Sequence, residues 1–382
     1  MRGAQTIRRL GLFLTAWLAL AACDGRHRPP RERPTQPASS ASAHFIDTPE
    51  LVPAMLPPVA QALVEVRDQK AEILAPREET QCLAFGKGRL AQASTDKVVF
   101  RDTSTGAVVS EADLGAVRAL THGVDGSLTA LGLSGGVRLE PHATKPKSFP
   151  HVVFFPGAAL FPDLEDPSHF YVYYGAEQQL FHYAFAAEAG SFLPIEDRFP
   201  LQGCLAGPAL TRDGAFLCTT ADGIERRAPR GREARFKLPS AVSSALRLIP
   251  AKRLDEVFSV SATGEVVHLR LQSPVTVLGR FQLPGQPFAA VGNDEALAFV
   301  LVSRPVPGSA RHWTLFVTDL EGHERFKAEL PSQSAPVSED WLKVVLGDKN
   351  LAISELEPLV ATGGADSVTV WDYARGAPVF TH

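Results

Sequence analysis

The sequence predicts an all-β protein, a ring of four-stranded antiparallel units repeated along the chain and preceded by an export segment and a spacer. Three observations carry that expectation. Glycine and proline each number 30 in 382 residues; that punctuation suits short strands joined by turns and opposes helices, where the two residues cost about 1 and 3 kcal/mol. A gapless internal match links residues 94–109 with 364–379. No helical periodicity of comparable length follows residue 58. With 45% hydrophobic and 21% charged residues, the chain can bury a large core and wholesale disorder is excluded.

The N-terminus sets the address. Arg2, Arg8 and Arg9 precede an uncharged apolar run from Leu10 to Ala22, within the length of a signal-peptide core and short of the ~20 residues a spanning helix needs. The run ends in Leu20-Ala21-Ala22-Cys23, which resembles the lipobox of bacterial lipoproteins. The resemblance implies cleavage after Ala22 and transfer of diacylglycerol to the Cys23 thiolate; the alternative is a secretory signal with an incidental cysteine. Acylation matters because each buried methylene contributes ~0.8 kcal/mol, so several chains hold where one is marginal. In enteric bacteria an aspartate after the cysteine, here Asp24, retains such a protein in the inner membrane. Other bacteria do not all follow that rule, and the choice between inner and outer membrane stays open.

Residues 1–22 are thus read as signal peptide and 23–58 as a lipidated cysteine with a flexible tether. Pro29, Pro30, Pro34, Pro37 and the run Ser39-Ser40-Ala41-Ser42-Ala43 offer too little apolar surface to fold. Arg26, Arg28, Arg31 and Arg33 lie beside the anchor, where each basic residue near anionic headgroups contributes about 1 kcal/mol; a solvated charge run is the other reading. Loss of the three signal-peptide arginines takes the formal charge from −4 to −7, and an acidic body argues against nucleic-acid binding. Of the remaining cysteines, Cys82, Cys204 and Cys218, the last two flank a hairpin turning at Arg212-Asp213. Its expected register sets residue 207 opposite 218 and leaves residue 204 about 10 Å away, so free buried thiols are expected rather than a disulfide.

Residues 59–382 carry the repeat. In the paired segments 94–109 and 364–379, each copy has a tight turn closed by aspartate (Asp96, Asp366), an apolar strand ending at Asp102 or Asp372, a turn ending in glycine, and another strand. The offset is 270 residues, close to six units of about 40–45, which implies seven blades of a β-propeller. Pro208–Gly223 adds two strands around Asp213-Gly214 and an Asp222 turn like those at Asp96 and Asp366. Weaker copies place the third-strand ends near residues 102, 140, 184, 227, 270, 319 and 372. Whether 62–74 or Pro378–His382 completes the last blade is open.

Residues 360–372 resemble the second and third strands of a WD-repeat blade, and Pro208–Gly223 the first two. In that family an aspartate, a strand Ser or Thr, a tryptophan and a histidine form a hydrogen-bonded tetrad; Asp366, Thr362 and Trp371 match three of its members. No Gly-His precedes this blade, its turn is one residue short, and Arg101 holds the tryptophan place in the first blade. Endings such as Asp102 to Gly106 also resemble quinoprotein-type blades, the fold of a lipoprotein subunit of the outer-membrane barrel-assembly machinery.

Catalytic motifs are weak. Gly132-Leu133-Ser134-Gly135-Gly136 fits G-x-S-x-G, but strands on both sides replace the strand–turn–helix that a nucleophile elbow needs. Asp163, Glu165, Asp166 and His169 could hold a hard cation but read as an exposed loop. The eleven histidines form no HExxH and no CxxC partner set, so no metal and no cofactor are expected. Tyr171, Tyr173, Tyr174, Phe181 and Tyr183 alternate as strand packing residues. The expected function is a lipid-anchored envelope module that faces the periplasm or cell exterior and binds one or more protein partners. An extracytoplasmic hydrolase or lyase and a carbohydrate or small-ligand binder are the alternatives.

Overall fold

The computed structural model describes residues 83–382 except 94–95, 116, 151–157, 175–177, 187–190, 202–203, 205–206, 230–233, 240–241, 243–246, 303–311, 331–349 and 364–366. The lipobox residues Leu20, Ala21, Ala22 and Cys23, the tether, Cys82 and Asp366 lie outside the described residues. Those described form seven four-stranded antiparallel sheets and no helix. The blades span residues 83–113, 117–150, 158–200, 209–237, 247–282, 286–330 and 351–381. In every sheet the strands follow chain order from the innermost to the outermost. The third strands end at Asp102, Leu139, Ala186, Arg227, Arg270, Thr318 and Asp372, within two residues of the positions expected from the repeat.

The core lies between blades. Seven apolar clusters are present among the described residues, and each joins one blade to the next, with the seventh joining the last to the first. Side chains alternate along a strand, so neighbouring residues serve opposite seams. Phe170, Val172 and Tyr174 pack toward the second blade, whereas Tyr171 and Tyr173 pack toward the fourth. Both faces of a blade are therefore buried, which explains strands that are apolar without interruption. Leu297–Val302 is buried at all six positions.

Among the described residues, all four strands of the last blade come from residues 351–381. Ala377–Thr381 is the outer strand of the seventh blade, pairing with Val368–Asp372. Across the seam, His382 Nε2 lies 3.0 Å from the Gly106 carbonyl of the first blade. Leu83, Phe85 and Leu90 meet Leu359, Ala361 and Val370 in a shared cluster.

Cys204 and Cys218 form a disulfide with a Cα–Cα distance of 5.0 Å, which corrects the expectation of free thiols. That expectation continued the hairpin ladder back to residue 204. The ladder instead contains only Ala209↔Leu217 and Leu210↔Phe216, one residue from the expected register. Pro208 has no N–H to extend it, and Gly207 at φ 75° turns the preceding chain out of the strand line, leaving Cys204 free to approach Cys218. Closing a loop of this length contributes about 3 kcal/mol. Replacing both cysteines by serine is expected to lower the urea midpoint by that amount of stability, measured on the oxidised wild type and the double variant. A midpoint unchanged by the double substitution would exclude a bridge in the native protein.

Candidate functional site

The innermost strands enclose a central channel with a cavity of about 820 Å³. Small residues on these strands, among them Ala84, Ala119, Ala159 and Ala352, leave it open where seven backbones converge. At one end the loops joining first to second strands converge, and all seven blades contribute to the lining there, through residues such as Lys87, Val124, Leu164, Arg212, Pro250, Asn293 and Leu356.

Side-chain hydrogen bonds fix these loops. Asn293 Oδ1 accepts the N–H groups of Glu295 and Ala296 at 2.9 Å, and its Nδ2 donates to the Ser354 carbonyl at 2.7 Å. The sixth and seventh blades are thereby tied together at the rim. Ser354 Oγ accepts the Leu356 and Glu357 N–H groups at 3.3 and 3.2 Å, shaping the turn that presents Leu356. In the fourth blade Thr211 Oγ1 donates to Asp213 at 2.6 Å and shapes the turn carrying Arg212.

Arg212 reaches across the mouth from the fourth blade. Its guanidinium pairs with Asp294 of the sixth blade and with Glu355 of the seventh, at 3.1 Å in the latter case. Lys252 of the fifth blade lies 3.9 Å from Asp294. Burial raises the Glu355 pKa; Arg212 opposes the rise and Asp294 adds to it. An ion pair this open to solvent contributes at most about 1 kcal/mol, so the network orders the mouth more than it stabilises the fold.

Apolar side chains stand exposed on the same end. Val124, Leu254 and Leu356, each in a first-to-second-strand loop, are 51%, 51% and 69% exposed. On the opposite end, Leu133 at 45% is the large apolar side chain so exposed among the described residues.

The blade-turn residues singled out in the sequence do not line this mouth, whereas Asp163, Glu165, Asp166 and His169 lie in or beside the first-to-second-strand loop that places Leu164 there. Asp96 and Asp222 sit on exposed turns between second and third strands, at the opposite end of the channel. Asp102 Oδ1 accepts the Ser104 and Thr105 N–H groups at 3.1 Å, and Asp372 Oδ1 accepts those of Ala374 and Arg375 at 3.0 and 2.9 Å. Each turn closes on a glycine, Gly106 at φ 73° and Gly376 at φ 70°, a conformation that a side chain would disfavour. Trp371 Nε1 donates to Thr362 Oγ1 at 3.1 Å. At the same offset of 270 residues, Arg101 Nε donates to Gln92 Oε1 at 3.2 Å, so different residues make the same cross-strand link in the first and last blades.

No protein-family model matches the chain, and no curated protein matches its sequence. The chain shares its fold with solved β-propellers. Apo AztD from Citrobacter koseri superposes with a TM-score of 0.54 at 13% identity, over 77% of this chain and 94% of that one. The Cps50 (Swd1) β-propeller domain of Myceliophteria thermophila gives 0.53 at 14% identity, covering 77% and 97%. Chaetomium thermophilum Raptor gives 0.52 at 14% identity, covering 76% of this chain and 28% of that protein. Likeness at this level of identity concerns the fold alone.

The mouth residues Arg212, Asp294, Glu355, Val124 and Leu356 escape a motif search. They lie in turns of different blades and share no spacing; the signal available in the sequence is their common place just after a first strand.

Proposed function

We propose that this chain is a lipoprotein of the bacterial cell envelope, held at the inner or outer membrane through Cys23, whose propeller is a non-enzymatic docking module for a protein partner. The observation that carries the docking role is the ring of exposed Val124, Leu254 and Leu356 around a mouth of mixed charge. Exposed apolar side chains rimmed by polar groups suit a protein interface, in which a few apolar anchors supply most of the binding energy. The closed ring beneath fixes their spacing, so little ordering cost attends association. The lipobox and the spacer after it support presentation of this face at a membrane.

Affinity capture from solubilised membranes tests the reading, comparing the wild type with a Val124→Glu, Leu356→Glu double variant. Both positions are exposed, so the variant should melt with the wild type. It should bind the captured partner about 30-fold more weakly, a loss of ~2 kcal/mol. Equal retention by both proteins, or repeated recovery of nothing specific by the wild type, counts against docking at this face.

A further inference from the structure

We infer that Asp163, His169 and His182 of the third blade form a binding site for a borderline divalent transition metal such as Zn²⁺. One ligand atom from each residue falls within 4.8 Å of the others. His182 Nε2 lies 2.8 Å from Asp163 Oδ2, and His169 Nδ1 lies 3.9 Å from the same oxygen. Ligands at metal distances of about 2.0–2.2 Å in a tetrahedron stand roughly 3.3 Å apart, so the two separations fall on either side of that spacing, about half an ångström from it, a difference that small side-chain rotations can close. Two imidazoles and one carboxylate are a donor set that favours zinc and its neighbours over calcium or magnesium.

The site is built rather than gathered from mobile surface groups. Asp163 and His182 are 8% and 4% exposed. The His182 ring stacks on Tyr171 with centroids 4.3 Å apart and planes 11° from parallel. Asp163 Oδ1 accepts the Glu165 and Asp166 N–H groups at 2.8 and 3.3 Å, which leaves Oδ2 directed at the imidazoles. The second nitrogen of His169, Nε2, faces Asp166 Oδ2 at 3.6 Å, an outer carboxylate placed to orient a ligating histidine. Asp163 is thus buried, which corrects the reading of this segment as an exposed loop; Glu165 is exposed as expected.

The fifth blade supplies an internal comparison. There His268 stacks on Phe258 at 4.3 Å and bonds to Glu256 at 3.1 Å, as His182 stacks on Tyr171. Arg270 closes that arrangement by pairing with Glu256 at 2.8 Å, a structural ion pair complete in itself. Strand register matches Glu256 and Arg270 of the fifth blade to His169 and Ala184 of the third. The third blade therefore replaces a carboxylate–guanidinium pair with a second imidazole and a methyl group, and takes its carboxylate from the neighbouring loop. The nearby Arg138 is engaged by Asp125 at 2.8 Å and Glu140 at 3.3 Å. A second group, Asp319, Glu321 and His323, lies on an exposed turn and serves as a control.

The full chain, purified in detergent without a histidine tag and stripped with chelator, is titrated with Co²⁺ and then Zn²⁺ alone. One equivalent of Co²⁺ should bind with visible ligand-field bands of tetrahedral character, and Zn²⁺ should displace it with micromolar or tighter affinity. Excess Ca²⁺ or Mg²⁺ should not. His169→Gln, at a partly exposed position and expected to fold even where His182→Gln does not, should weaken binding at least tenfold, while His323→Gln leaves it unchanged. The site is overturned if the wild type binds no stoichiometric metal, if His169→Gln binds like the wild type, or if His323→Gln abolishes binding.

Discussion

Replacing Phe216 by alanine is expected to destabilise the propeller by about 3–5 kcal/mol, the range for a buried aromatic reduced to a methyl. Phe216 belongs to the fourth blade, has no exposed surface, and projects into rings of the third. Its centroid lies 5.4 Å from Phe161, 5.5 Å from Tyr171 and 5.7 Å from Phe199, the first two edge-on. The seam depends on these side chains because the innermost strand of the fourth blade is only two residues long. The disulfide of Cys204 and Cys218 enters the same cluster, so the two substitutions should not be additive. Urea unfolding measures the loss. Phe216→Leu refills most of the volume and should cost about 1 kcal/mol. A Phe216→Ala loss below about 1 kcal/mol would mean the seam is held by something other than this aromatic cluster.

The Cys23→Ser substitution should abolish acylation completely. On the proposed reading the Cys23 thiolate accepts diacylglycerol, a role that a hydroxyl cannot take, and basic residues near an anionic surface add only about 1 kcal/mol each. Incorporation of labelled fatty acid should fall from stoichiometric to background, and the intact mass of the membrane-extracted wild type should exceed that of the polypeptide starting at Cys23 by its lipid. A wild-type mass without fatty chains removes the anchor from the proposed function and leaves the propeller unaffected.

Strand order and blade number were legible because both depend on local chemistry. An apolar strand bounded by an aspartate turn and a glycine turn uses residues within about 15 positions of one another, and its recurrence places seven third-strand ends to within two residues. The disulfide was missed for a related reason. Pairing rules extend a ladder in register, whereas this one ends at Ala209, after Gly207 and Pro208, and Cys204 lies outside it. Aromatic alternation in the third blade reads as packing from the sequence, and Tyr171, Tyr173 and Tyr174 are all buried. The carboxylate of Asp163 was misplaced because loop composition suggests exposure, and only the neighbouring His182 shows that it turns inward.

The amino-acid order alone determined a repeated all-β body and an expectation of lipid attachment at Cys23, since turn residues, strand alternation and the apolar export run act over short stretches of chain. The folded ring decided which distant side chains meet. Arg212 and Glu355 are separated by 143 positions, yet they pair because three blade widths of a closed ring bring them to one mouth. His169 and His182 face a shared carboxylate because the start of the second strand, the middle of the third and the loop between first and second strands adjoin in one blade. The pairing of Arg212 with Glu355 depends on the angle each blade takes from its neighbours, a cumulative packing outcome that no spacing in the chain encodes.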